Sequence, residues 1–189
     1  MTGTNPASAP GGAGDVVDFL LQQHQQIKAL LGDVLQNSGE DRQRHFDAAR
    51  ELLARHETAE EMIVRPLTRK APDGRTVADG RMAEENEAKK VLADLEKRDV
   101  NSPEFEQQFT AFRQSVIDHA AAEEREEFPL LRANTDVEAL TKARDRLQLA
   151  EKLAPTHPHP SAKTTAMNYV AGPFAAMLDR ARDALRSRS

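Results

Sequence analysis

His56-Glu57-Thr58-Ala59-Glu60-Glu61-Met62-Ile63-Val64-Arg65-Pro66 and His119-Ala120-Ala121-Ala122-Glu123-Glu124-Arg125-Glu126-Glu127-Phe128-Pro129 carry one pattern, His-x-x-x-Glu-Glu-x(4)-Pro, twice. In each copy Glu follows His by four residues and Pro follows that Glu by six. Residues four apart share one face of a helix, about one turn apart. An imidazole and a carboxylate stacked in this way can reach one metal ion, and two such helices face to face make a site for two. A lone His-x-x-x-Glu in a Glu-rich helix is commonly only a surface pair. Two copies sharing the second Glu and the Pro are far more specific.

Outward from the two copies, the chain reads as a duplicated helical hairpin. His24 precedes His56 by 32 residues and Glu85 precedes His119 by 34. Each of these is followed at +6 and +7 by an apolar pair, Leu30 and Leu31 in the first half, Val91 and Leu92 in the second. Each half thus supplies one lone ligand candidate and one His-x-x-x-Glu helix. Glu85 lies in a run of acids, and Glu84 is the next choice for its role. Glu61 and Glu124 fall one residue off the apolar stripe, as surface groups or as hydrogen-bond partners of the ligand imidazoles. His45 reads as a surface or boundary residue.

Four helices are legible, at about 15–37, 41–69, 77–99 and 103–133, each with apolar residues stepping by three and four. Breakers separate them: Gln36-Asn37-Ser38-Gly39, Ala71-Pro72-Asp73-Gly74 and Asn101-Ser102-Pro103. Connections this short favour antiparallel neighbours. The expected fold is all-α: an antiparallel up-down four-helix bundle with a C-terminal helical extension. His24, His56, Glu60, Glu85, His119 and Glu123 all fall on the apolar stripes. A buried, unpaired carboxylate costs several kcal/mol, so three of them in one core need a strong partner such as a metal.

The flanks differ from the bundle. Residues 1–14 are rich in Gly, Pro, Ala and Thr, lack the basic and apolar regions of a secretory signal, and read as a disordered tail. The bundle is assigned to 15–134 and the extension to 135–189. Within the extension, Asp136 to Leu153 reads as a charged fifth helix capped by Thr135 or Asp136. A Pro-His-Pro loop follows at 154–161, then a second helical stretch at 164–187 broken near Gly172-Pro173. Its apolar residues, among them Met167, Val170, Phe174 and Met177, are expected to dock on the bundle or on a second copy in a homodimer. His157 and His159 could form a weak extra metal site, and Tyr169 could reach the centre as a lid; packing roles are the simpler reading of all three.

Composition narrows the function. The 189 residues hold no cysteine, so disulfides, iron–sulfur clusters and thiol chemistry are excluded. A net charge of −5 argues against a dedicated nucleic-acid binder. No apolar run approaches the roughly 18 residues that span a bilayer, so no membrane partner is expected and a cytoplasmic setting is the default.

In order, spacing and helical phase, His24, the His56/Glu60 pair, the lone candidate near 85 and the His119/Glu123 pair followed by Glu124 and Phe128-Pro129 resemble the hemerythrin HHE cation-binding domain, over roughly residues 15–133. The resemblance implies a four-helix bundle around two non-haem iron ions, bridged by Glu60 and Glu123 and by an oxygen species, with His24, His56 and His119 as terminal ligands. Glu85 departs from the family pattern, which usually has His there. Three His and three Glu then surround the irons in place of four and two. A further hard anion favours the ferric state and lowers the reduction potential, which suits peroxide chemistry better than reversible oxygen carriage. The expectation is a di-iron protein that turns over hydrogen peroxide, or NO with peroxide, under oxidative or nitrosative stress. The alternatives are a sensor of O2, NO or iron without turnover, and a bundle in which metal only stabilises the fold. No residue is assigned as catalytic.

Overall fold

The computed structural model describes residues 14–153, and those residues are helical apart from short turns. Helix α1 spans Val16–Gln36, α2 Gly39–Thr68, α3 Gly74–Leu95 and α4 Pro103–Ala122. A π-helical turn, Glu123–Glu127, joins α4 to α5, Phe128–Asn134, and α6 covers Val137–Leu153. Helix α1 packs on α2 and α4, and α3 packs on the same two, so the four helices form a ring in chain order. This is the up-down bundle that the short connections imply. Helix α6 lies in the outer groove of α1 and α2 as the first element of the extension. No helix among the described residues is long and apolar enough to cross a membrane. The tail at 1–13, the Pro-His-Pro loop with His157 and His159, Tyr169 and the stretch at 164–187 lie outside the described residues, as does the homodimer contact expected of them.

Local chemistry accounts for the helix ends. Asp15 and Asp18 each accept the other's backbone N–H, at 3.0 and 3.1 Å, closing a reciprocal cap on α1. Ser102 accepts from Phe105 N–H at 3.1 Å, with Pro103 at the first helical position of α4. Asp136, not Thr135, caps α6, its side chain accepting from Ala139 N–H at 2.7 Å. Helix α3 starts three residues earlier than the periodicity suggests and ends at Leu95. Its start is set by Asp73, in the left-handed region at φ 58°, and by Gly74, where a Cβ would stand 1.8 Å from the Thr68 carbonyl oxygen.

The core has two apolar ends. One is built by Ile27, Leu31, Phe46, Leu53, Leu92, Phe105, Phe109 and their neighbours, with Phe46 edge-on to Phe105 at 5.2 Å. The other joins Val16, Val17, Leu20, Val64, Phe128 and Leu131 to Leu140, Ala143, Leu147 and Ala150 of α6. Between the two ends lies a layer of buried polar side chains: Gln23, His24, His56, Glu57, Glu60, Arg65, Glu85, His119, Glu123 and Glu127.

Candidate metal centre

All six ligand candidates from the sequence meet in that layer. His24, His56 and Glu85 are 1–2 % exposed, Glu60 and Glu123 not at all, and His119 9 %. Donor atoms of His24, His56, Glu60 and Glu123 lie within 4.8 Å of one another, and so do those of Glu57, Glu60, Glu85 and His119. The two groups share Glu60. Glu123 also spans them, with Oε2 3.2 Å from His24 Nε2 and Oε1 3.2 Å from His119 Nε2.

Each imidazole is held from behind through Nδ1 while its Nε2 faces the centre. His24 Nδ1 lies 2.8 Å from Glu124 Oε1, which also accepts from Lys28 Nζ at 3.1 Å. His119 Nδ1 lies 2.8 Å from Glu84 Oε2, and His56 Nδ1 lies 3.0 Å from Gln23 Oε1. A partner on the far ring nitrogen fixes the tautomer and aims the other nitrogen at a metal. Phe128 stacks on His24 at 5.5 Å and completes its setting.

These contacts sort the residues left open by the sequence. Glu124 is the imidazole partner expected of it. Glu61 is not: it pairs with Lys89 and takes the surface alternative. Glu85 faces the centre, while Glu84, one residue and about 100° around the helix, reaches His119 from outside. His45 is half-buried, 3.9 Å from Asp33, in the boundary position expected.

Besides Gln23, three buried residues of the layer escaped the sequence reading. Glu57 follows His56 directly, one residue off the stripe, yet its carboxylate joins the second donor group. The offer is therefore three His and four Glu, more acidic than three and three. Glu127 enters because the helix is not regular. Eight residues from His119 on a straight α-helix end about 80° off the ligand face, but the π turn, marked by Phe128 N–H bonding to Glu123 C=O, adds a residue and brings Glu127 back onto it. Pro129, which has no N–H to donate, was the available signal. Arg65, fully buried, stands nine residues after His56, where the second copy has Phe128 at nine after His119. Comparing those two positions would have exposed it.

The donor set fits metal ions. Six buried atoms of these residues make no hydrogen bond: His24 Nε2, Glu57 Oε2, Glu60 Oε1, Glu85 Oε2, His119 Nε2 and Glu123 Oε2. Buried polar atoms are rarely left so, and convergent imidazole nitrogens and carboxylate oxygens are metal donors by type. The electrostatics agree. Burial and the neighbouring Glu123 raise Glu60 well above the usual carboxylate range; burial and Glu57 do the same to Glu85. Burial, with the nearby His24, pushes His56 down to about 3. Burial also works to lower His119, but Glu123, Glu57 and Glu84 outweigh it and push it up to about 10. Burial opposes ionisation of Glu123 too, yet His119 and Arg65 hold it well below the usual range. Without metal, these carboxylates compete for too few cations.

Comparison with known proteins agrees. The family model for the hemerythrin HHE cation-binding domain matches residues 15–131. The chain belongs to that family. An uncharacterized hemerythrin-like protein of Schizosaccharomyces pombe (strain 972) is 30 % identical over 134 residues, which span 69 % of this chain and 66 % of the relative, just under two thirds of its length. The crystal structure of a hemerythrin HHE cation binding domain-containing protein from Mycobacterium kansasii matches the fold with a TM-score of 0.66 at 19 % identity, covering 73 % of this chain and 85 % of that one. At that identity the likeness speaks for the fold, so the residue assignments of this hemerythrin-like chain rest on its own geometry.

Proposed function

We propose that this hemerythrin-like chain is a cytoplasmic, non-haem di-iron protein that binds and turns over small oxidants, hydrogen peroxide foremost and NO or O2 as further ligands, in oxidative or nitrosative stress. The observation that carries it is the pair of four-residue donor groups sharing Glu60, which places two cation positions side by side in one buried layer. His24, His56, Glu60 and Glu123 would hold one ion, and Glu57, Glu60, Glu85 and His119 the other. Bound there, iron would supply redox and Lewis-acid chemistry at a coordination position left for the oxidant.

The residues of the chain set the conditions. Gln23, Glu124 and Glu84 keep the imidazoles aimed inward. Phe128 and the apolar ends of the core exclude bulk water, which strengthens every charge interaction inside. Four carboxylates among seven donors favour the higher charge state of the metal. That supports turnover of peroxide over reversible carriage of O2.

The test is anaerobic iron reconstitution followed by elemental analysis and optical spectra with peroxide, NO and O2. About two irons per chain are expected, with oxygen evolution from peroxide in the absence of any partner protein. His56→Ala and His119→Ala should each lose metal and soften the fold, because metal binding is coupled to folding. Two irons retained in both variants would sink the assignment. Two irons with ligand binding but no turnover would favour the sensor reading.

A further inference from the structure

The buried layer already contains one cation of its own. Arg65 is completely buried, and its guanidinium touches four carboxylates. Nε and Nη2 donate to Glu85 Oε1 at 3.0 and 2.5 Å, and Nη2 also reaches Glu123 Oε1 and, at 3.3 Å, Glu60 Oε2. Nη1 donates to Glu127 Oε2 at 2.6 Å, while Thr68 Oγ1 donates to the other oxygen of Glu127. A guanidinium is a fixed planar fork that stays charged, so it can anchor several carboxylates at once and cannot be neutralised by losing a proton.

Arg65 divides the carboxylates between itself and the centre. It holds one oxygen each of Glu85, Glu60 and Glu123. The opposite oxygens, Glu85 Oε2, Glu60 Oε1 and Glu123 Oε2, are the ones that make no hydrogen bond. The division is uneven. Glu123 Oε1 faces His119, whereas Oε2, which Arg65 does not touch, faces His24. Glu85, which carries two of the guanidinium's hydrogen bonds, belongs to the His119 group. Although Glu123 belongs to the His24 group, the oxygen it gives to Arg65 is the one on the His119 side, so the two strongest contacts of Arg65 within the donor set, to Glu85 and Glu123, both lie toward that position. Charge counting agrees with a role beside metals. Five buried carboxylates (Glu57, Glu60, Glu85, Glu123 and Glu127) less one guanidinium leave four negative charges when all are ionised, the complement of two divalent ions. The duplicated motif does not require this residue, since the equivalent place in the second copy is the apolar Phe128.

We propose that Arg65 is a resident third cation of the centre, a positioning residue that leaves Glu60, Glu85 and Glu123 one oxygen each for metal and makes the two metal positions unequal. The position of Glu57, Glu60, Glu85 and His119 holds its ion the more loosely. This rests on the metal-centre reading above, and the test separates the two. Chelator-treated full-length protein is titrated with Zn(II) by calorimetry and with Co(II) by absorption, whose bands report coordination number. The wild type should bind in two steps that differ by more than about tenfold in affinity, the order expected of one fixed charge a few ångströms away. Arg65→Met should bring the looser step toward the tighter one by a similar factor. It should also lower the stability of the metal-free protein and regain much of that on loading. Arg65→Lys keeps a charge but cannot span Glu85, Glu123 and Glu127 together, so its gap should shrink in part and its looser Co(II) bands should change. Should the Met variant not fold without metal, the Lys variant decides. Equal affinities at both positions in the wild type, or a gap and Co(II) spectrum unaltered in the variants, would overturn the proposal and leave the centre standing. A wild type that takes up no metal would remove the centre itself.

Discussion

Glu57 and Glu85 separate what a motif shows from what a site requires. Glu85 was legible because it stands seven residues before Leu92, as His24 stands seven before Leu31. Glu57 was not, because a residue adjacent to a motif His points about 100° away from it, and only the approach of α3 and α4 turns that direction into the interior. Glu57→Ala should remove a donor from one group alone. Metal titration should then show the looser step lost and the tighter one kept; loss of both, or of neither, would contradict the division into two groups. Glu85→His should keep about two irons and raise the reduction potential, since a neutral ligand replaces an anion beside the metal. A redox titration that finds an unchanged potential would mean that Glu85 does not bind iron. The imidazole partners were half legible: Glu124 follows the motif Glu, but Gln23 and Glu84 were found only when their helices were placed against His56 and His119.

At the scale of helices, periodicity located the four long segments and the breakers located the turns. The ends of α3 were misjudged, because its first turn is polar and its start depends on backbone contact. Gly74 is needed there for space: a Cβ would collide with the Thr68 carbonyl oxygen at 1.8 Å. Gly74→Ala should therefore cost about 2 kcal/mol or more, the range of strained backbone sites. Chemical denaturation of the metal-free protein measures it, and a change within ~0.5 kcal/mol, typical of a neutral surface site, would show that the turn yields freely. The π turn at Glu123–Glu127 went unseen for a different reason. It carries no composition signal of its own beyond Pro129, and the same proline in α2, Pro66, sits in a helix without one.

For the whole molecule, α6 is the telling element. The family match stops at residue 131, yet Leu140, Ala143, Leu147 and Ala150 of α6, which packs on α1 and α2, are buried in the core. The helix is thus part of the core that closes one end of the metal layer. Leu147→Ala should cost about 2–5 kcal/mol, as for other fully buried leucines, while iron content stays at the wild-type level. Denaturation with parallel metal analysis checks both; an unaffected stability would make α6 a mere appendage. The sequence by itself determined the class of fold, the ring of four helices and six inward-facing donors, because hydrophobic period and short turns are local and the motif is written twice. The tertiary structure alone decided that Glu57 joins the donors, that Arg65 and Glu127 form a charged pair inside the layer, and that the two halves of the repeat are not equivalent. Those outcomes depend on which side chains of separate helices meet across the bundle, and burial makes each meeting matter, since a charge removed from water must find its partner among whatever the other helices present.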